Sequence, residues 1–300
     1  MKLSAAAFDS TATLEKSWAA VLADLVKARL TLLVLLTTFV GFYLGERGGV
    51  GYLLMFHALF GTALIAGGAA ALNELLERDH DAKMRRTASR PLPSGRLQPA
   101  TVAIFGGVCS VAGLIYLAVL VNPLTSVLGA VTSISYLFIY TPLKRVSWVN
   151  TLVGAIPGAL PPLMGWTAAR NELSGEGWTL FAILAFWQIP HFMAIAWLYR
   201  DEYAKAGFVM LPNVDADGRR TAQYALGNTL ALAIASLCPF LLKMNGPIYL
   251  ATALMLNAGY FWCAARFARQ LTARRARQLF LASIIYLPLL LAAMVFDKMQ

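Results

Sequence analysis

The sequence predicts an all-α, polytopic membrane protein of about nine transmembrane helices. Three observations carry that expectation: a composition 59% hydrophobic and only 13% charged, apolar stretches of membrane-crossing length, and Lys and Arg residues that alternate from one connection to the next. A soluble domain is roughly 25% charged, so this chain cannot cover itself in polar surface, and spans rather than soluble domains are the unit to count. At 1.5 Å per residue, a helix needs about 20 apolar residues to cross a hydrocarbon core of roughly 30 Å.

Such runs lie near residues 22–44, 51–73, 100–121, 123–141, 148–168, 178–199, 222–243, 247–267 and 277–296. The fourth and fifth are interrupted by polar or proline residues. The N-terminal segment holds four Lys and Arg, and the connections after the second, fourth, sixth and eighth runs hold six, two, four and five, which is 21 of 25. Moving the count by one span destroys this alternation. The positive-inside rule then puts the N-terminus in the cytoplasm and the C-terminus outside, with a cytoplasmic segment over 1–21 and one intramembrane domain over 22–300. Residues 1–20 lack a signal-peptide pattern, because Asp9 and Glu15 interrupt them, and are not Arg-rich like a mitochondrial presequence. The net charge of +10 sits in short loops at membrane ends, which fits topology and anionic lipid better than nucleic acid. Cys109, Cys238 and Cys263 fall within spans without CxxC spacing and read as small apolar packers.

The polar residues concentrate on one side. Two long connections, 74–99 and 200–221, each open with carboxylates at the end of a span, four spans apart. That offset suggests two related four-helix halves plus a ninth helix. In the first connection Asn73, Glu77 and Asp81 recur at intervals of four. Four residues turn a helix by 400° and raise it about 6 Å, so the three form one nearly straight row, with Asp79 pointing elsewhere. Carboxylates stacked in this way repel one another. A divalent cation offsets the repulsion, and oxygen donors with an amide carbonyl suit Mg²⁺ bridging to substrate phosphates; a solvated helix end balanced by Arg78 and Lys83 is the other reading of the same residues. Asp201 and Glu202 in "WLYRDEYAKAG" stand at the equivalent place in the second connection, where they cap a span or face the same cavity with a second metal.

"YTPLKR" (140–145) places Tyr140, Lys144 and Arg145 on that side, around a turn set by Pro142. A Lys and an Arg beside a phenol can bind phosphate oxygens, and the positive-inside rule accounts for them equally. "RTASRPLPSG" (86–95) reads as a lid over the acidic row, with Arg86 and Arg90 reaching phosphate from above. "FWQIPHF" (186–192) puts His191 at hydrocarbon depth, where ionisable residues are uncommon and functional by default. Three roles are open to it: iron ligand, hydrogen-bond partner of a substrate, or hydrogen-bond partner of another helix. His57 reads as a core residue and His80 as a solvated one. Acids for Mg²⁺, cations for diphosphate and an apolar helical cavity together fit transfer of a prenyl group, in which metal neutralises charge on the departing diphosphate and aromatic walls face the allylic cation.

The Asn-x-x-x-acid-x-x-x-Asp row, the "YTPLK" turn and the second acidic loop resemble the intramembrane prenyltransferases of the UbiA type. The fuller strings "NELLERDHDAKMRRTASRPLPSG", "WQIPHFMAIAWLYRDEY" and "AGFVMLP" are similar to the haem-modifying branch of that family, from about residue 25 to the end. The resemblance implies a UbiA-type helical bundle in a bacterial inner membrane. It implies transfer of the farnesyl group of farnesyl diphosphate to a vinyl group of protohaem IX, followed by addition of water to give haem O for haem-copper oxidases. It also implies Mg²⁺ as cofactor, and contact with haem A synthase or oxidase assembly proteins. Carried over by position, Asn73, Glu77 and Asp81, with Asp201 and Glu202, would hold metal. Lys83, Arg86, Arg90, Tyr140, Lys144 and Arg145 would bind diphosphate, with Lys144 also catalytic, and Trp187, His191 and Tyr203 would belong to the haem region. Glu77 and Glu202 stand where the family usually has Asp, which bears on the exact ligand set. Two other functions fit parts of the pattern. A UbiA-type enzyme acting on a quinone precursor lacks a use for the intramembrane His, and a secondary transporter should carry ionisable groups near the midplane rather than on one face.

Overall fold

The computed structural model describes residues 17–299. Its spans are α2 (Ala28–Gly45), α3 (Tyr52–Asp81), α4 (Pro99–Leu120), α5 (Pro123–Leu143), α6 (Asn150–Arg170), α7 (Gly175–Leu198), α9 (Arg219–Leu241), α10 (Pro247–Arg269) and α11 (Ala273–Phe296). Two short helices flank them: α1 (Trp18–Leu25) before the first span and α8 (Arg200–Lys205) after the sixth. The nine expected runs are thus nine helices among the described residues, and helices are what an isolated segment must form where no water can satisfy its backbone.

Spans α3 to α6 pack in sequence, as do α7, α9, α10 and α11, with α11 returning to α7; α2 lies between the two groups, against α6, α3 and α11. The offset of four spans between the acidic connections survives as two four-helix groups, and the additional helix is the first. Lipid-facing and inward faces separate by helical spacing. On α4, Ile104, Val108, Val111, Ile115 and Val119 are exposed, whereas Val102, Gly106, Gly113 and Leu117 are buried. The three cysteines are free and partly buried.

Three local departures from the sequence reading matter for the site. The first apolar run is not one helix, because Lys27 adopts a left-handed conformation (φ 49°) that separates α1 from α2. The polar row does not open a loop; α3 continues through it to Asp81. Pro142 does not end α5 in a turn. A π-helical stretch, Ser135–Tyr140, widens the helix ahead of it, and both the amide and the hydroxyl of Thr141 donate to the Tyr136 carbonyl. A single π-turn is the usual way to insert one extra residue into a helix, often at a functional site.

Without a hydrophobic drive between helices in lipid, close backbone approach supplies the attraction. At the α2–α6 crossing, a Cβ on Gly41 would overlap the Pro162 carbonyl, and one on Gly165 would overlap the Thr38 carbonyl. Gly165→Leu is therefore expected to lower the thermal midpoint in detergent by an amount corresponding to about 1–3 kcal/mol of overpacking; an unchanged midpoint would show that this crossing is not close-packed in the membrane protein.

Candidate functional site

A cavity of ≈ 380 Å³ runs from the ends of α3 and α5 into the bundle. Its inner walls are apolar: Val34 on α2, Ile65 and Ala69 on α3, Pro157 and Met164 on α6, and Phe192 and Ile195 on α7. Small residues make the room, since Ala66, Ala69, Ala70, Gly154 and Gly158 line it where larger side chains would fill it. Its mouth holds Asn73, Glu77, Asp81, Lys27, Arg86, Arg90, Tyr136, Tyr140, Lys144 and Tyr203.

The row of Asn73, Glu77 and Asp81 is buried along its whole length, at 1%, 3% and 2% exposure, so it is not a solvated helix end. Asp79 points away and pairs with Arg78 on the surface. Burying carboxylates is expensive unless each is paired and hydrogen-bonded, and here every member meets a cation from a different element. Lys27 Nζ, brought in by the break before α2, donates to Asn73 Oδ1. Lys144 Nζ, at the end of α5, donates to Glu77 Oε1 at 2.8 Å while lying 4.5 Å from the centre of the Tyr140 ring. Arg90, from the connection after α3, pairs with Asp81. Asn73 is held in orientation by its amide donating to Thr141 Oγ1 at 3.0 Å.

The connection after α3 folds over the row as expected. The Thr87 hydroxyl donates to the Asp81 carbonyl at 2.8 Å, and Glu74, fully buried, accepts from the Leu92 amide at 2.8 Å. The connection after α7 closes the other side. Arg86 donates to the Tyr203 hydroxyl at 3.3 Å, and His80, half-buried rather than solvated, donates to the Ala206 carbonyl at 2.8 Å with its ring against Phe208.

Burial pushes Lys27 down to about 7, with the Arg90 charge adding to the effect. Lys144 responds differently. Burial disfavours its charge too, but Tyr140 and Glu77 beside it outweigh that and hold it above the ordinary lysine range.

Several residues singled out in the sequence stand outside the cavity. Asp201 is 86% exposed and lies 3.7 Å from Arg200. Glu202 is half-buried, with one carboxylate oxygen lacking a hydrogen-bond partner. The short helix α8 brings Tyr203 to the cavity mouth, but neither Asp201 nor Glu202 lines the cavity that holds the first row. Lys83 is exposed, and Arg145 donates instead to the Leu76 carbonyl at 3.0 Å on the outer face of the bundle. Trp187 and His191 lie on the face of α7 toward α11, a quarter-turn from the cavity-lining Gln188 and Phe192. His57, read as core, is partly buried against the Tyr116 hydroxyl at 2.7 Å.

The sequence reading missed Lys27, Glu74, Thr141 and Tyr136. Lys27 was legible only as one more basic residue before a span; the left-handed backbone that aims it is not encoded in hydropathy.

Among the described residues, no three His, Cys, Asp or Glu side chains converge on one point. The row supplies two carboxylates and an amide oxygen, all buried and all lining the cavity mouth. That donor set fits Mg²⁺, which takes one or two protein carboxylates and completes its shell with water and substrate phosphates.

The profile of the UbiA prenyltransferase family matches residues 34–287. The chain is 45% identical over 284 residues to a protoheme IX farnesyltransferase of Solibacter usitatus, covering 92% of this chain and 97% of the relative. It is 46% identical over 285 residues to a protoheme IX farnesyltransferase of Koribacter versatilis, covering 92% of each. Among solved structures, a digeranylgeranylglyceryl phosphate synthase superposes with a TM-score of 0.80 at 15% identity, covering 93% of this chain and 98% of the other. A UbiA homologue from Archaeoglobus fulgidus bound to GPP and Mg²⁺ superposes with a TM-score of 0.66 at 16% identity, covering 91% of this chain and 99% of the other.

The depressed pKa of Lys27 has a signed consequence for stability. The unfolded chain holds this proton up to about 10.5, whereas the folded chain releases it near 7. Between those values the unfolded state binds more protons, so folding stability rises with pH. The thermal midpoint of the wild type relative to Lys27→Met should therefore rise from pH 7 towards pH 10; a difference that stays flat would mean Lys27 is not desolvated.

Proposed function

The chain belongs to the UbiA prenyltransferase family, and from that premise we propose that it transfers the farnesyl group of farnesyl diphosphate to a vinyl group of protohaem IX. The observation that carries this reading is the buried row, neutralised by Lys27, Lys144 and Arg90, at the mouth of an apolar cavity. The identity to named protoheme IX farnesyltransferases supports the choice of donor and acceptor.

Lys144 and Arg90 are paired with the carboxylates of Glu77 and Asp81. A diphosphate entering the mouth competes for Lys144, Arg90 and Lys27 with a larger negative charge and planar or point-charge donors suited to phosphate. Arg86 lies beside Tyr203 over the same opening. Glu77, Asp81 and the Asn73 carbonyl are the residues that would hold Mg²⁺, and when bound this ion neutralises the charge that grows on diphosphate as the allylic carbon–oxygen bond breaks. The isoprenoid tail lies in the apolar cavity, away from water. Tyr136 and Tyr140 line the cavity beside the charged mouth, and their aromatic faces would stabilise an allylic cation there. The carbon joins the vinyl terminus, and water adds to the adjacent carbon with loss of a proton, so that farnesyl diphosphate, protohaem and water give haem O, diphosphate and a proton.

We place the protein in a bacterial inner membrane with the site on the cytoplasmic side, on the strength of the basic residues in the connections after α3, α5, α7 and α10. The domain comprises 22–300 behind a cytoplasmic N-terminal segment; of that segment, residues 1–16 lie outside the described residues. Trp187, His191 and Tyr203 form the haem region in this reading, and Asp201 and Glu202 remain candidates for a second metal only if α8 rotates. Lys83 and Arg145 are assigned to the outer approach of the diphosphate. Haem A synthase and oxidase assembly proteins are the partners consistent with the product.

Two experiments test the proposal. Purified protein in detergent with protohaem, farnesyl diphosphate and Mg²⁺ should form haem O, detected by mass; excess chelator or Asp81→Asn should lower turnover by at least about 100-fold, as expected for losing a charge-stabilising group, with the thermal midpoint showing that the protein is folded. Full turnover in chelator would remove the metal from the mechanism, and farnesylation of a quinone precursor but not of haem would replace the acceptor. For orientation, a reporter fused after Gln300 should read outside and one inserted in 200–221 should read cytoplasmic; both on one side would mean that a span fails to cross.

A further inference from the structure

His191 and Ser283 form a polar pair on the side of α7 that faces away from the prenyl cavity. His191 Nδ1 lies 2.7 Å from Ser283 Oγ on α11. A hydroxyl has one proton to donate and two lone pairs to accept with. Ser283 spends its proton on the Phe280 carbonyl one turn back, at 2.5 Å, and a carbonyl can only accept. The Tyr260 hydroxyl, also near Ser283, has an acceptor of its own in the Trp187 carbonyl at 3.4 Å. With its proton on the Phe280 carbonyl, Ser283 Oγ has lone pairs with which to accept from His191, an arrangement that puts the imidazole proton on Nδ1 and leaves a lone pair on Nε2.

That lone pair is not used within the protein. Nε2 has no hydrogen-bond partner among the described residues and is not sealed from its surroundings. The ring is nevertheless fixed, stacked on Trp187 at 5.1 Å between centroids and against Phe280 at 5.1 Å. Trp187 is itself anchored, its Nε1 donating to the Ser283 carbonyl at 2.9 Å. A rigid, neutral imidazole with an open Nε2 at hydrocarbon depth is an arrangement that packing alone does not require. Metal-ligating histidines donate their second ring N–H in this way, so that tautomer and orientation are set before the metal arrives. Phe192, whose ring meets that of His191 edge-on at 5.7 Å, lines the prenyl cavity, so one aromatic ring separates His191 from that cavity.

We propose that Ser283 is a positioning residue that holds His191 in the Nδ1–H tautomer, so that Nε2 takes the iron of a porphyrin acceptor as axial ligand. This rests on the reading above that the acceptor is a haem. The test uses full-length protein in nanodiscs titrated with ferric protohaem without farnesyl diphosphate. The wild type should give a nitrogen-ligated Soret band. His191→Gly should lose it, and free imidazole should restore it, which replacing lost packing would not do. Ser283→Ala should weaken haem binding by about 10-fold or more while farnesyl diphosphate binding, measured separately, is retained. An unchanged Soret band in His191→Gly, no restoration by imidazole, or unchanged haem affinity in Ser283→Ala would each overturn the assignment. If the wild type makes haem O but its haem spectrum ignores His191, only the ligand assignment falls; if the wild type neither binds nor converts haem, the acceptor reading falls first and this inference with it.

Discussion

The site depends on placing three cations against one buried face of α3. Two carboxylates, each 3% exposed or less, cannot remain ionised in an apolar bundle without partners, and the Asn73 amide beside them must be hydrogen-bonded. At an effective dielectric of about 20, a pair 4 Å apart gains roughly 4 kcal/mol, whereas removing one partner of a buried pair costs about 3–5 kcal/mol. The backbone around the row follows from that asymmetry. A left-handed residue aims Lys27, a π-turn ahead of Pro142 carries Lys144 to Glu77, and a folded connection brings Arg90 back to Asp81. Irregular backbone at membrane depth is tolerated where it lines a cavity and its polar groups are satisfied, and both conditions hold here.

This pairing also defines what an incoming ligand must do. Both carboxylates of the row are already paired with cations, so a neutral molecule gains little from displacing those ion pairs. A polyanion gains three cations at once and leaves behind oxygen donors suited to a hard metal. One helix face thus carries charge at the last turns of α3 and small apolar residues one to three turns deeper, an arrangement that matches a charged head with an apolar tail. The two connections over the mouth are tied to that same helix through Glu74, Thr87 and His80, so order in the lid and order in the row are coupled.

Helix α7 serves two environments. Gln188 and Phe192 border the cavity, and Trp187 and His191 border α11. Polar atoms within this span are satisfied by carbonyls and hydroxyls of neighbouring helices, as hydrocarbon demands. Among the described residues, His191 Nε2 and the cavity-facing Gln188 Oε1 lack such a partner.

The number of spans, most of their limits to within a few residues and the straight row on α3 were legible in the sequence, because hydropathy and a spacing of four are local properties of a helix. The start of α2 and the end of α3, where polar residues break or continue the helix, were not. The end of α5 at Lys144 was legible as a cation at the right membrane edge, but not as a helix end, since Pro142 signals a break that the π-turn removes. Only the tertiary structure decided which cation meets which oxygen. Lys27 and Asn73 are 46 residues apart, and Lys144 and Glu77 are 67 apart, so their meeting is set by how α2, α3 and α5 pack. The same holds for the residues the fold turned away. Asp201 and Glu202 sit at the expected place along the chain, and His191 within the expected span, but a step of one residue (about 100°) for Glu202 and His191, or two for Asp201, separates them from the cavity-lining Tyr203 and Phe192. Rotation about a helix axis is chosen by its neighbours, and in an apolar chain, where every face of a span is greasy enough for lipid, the sequence of that span alone cannot choose it.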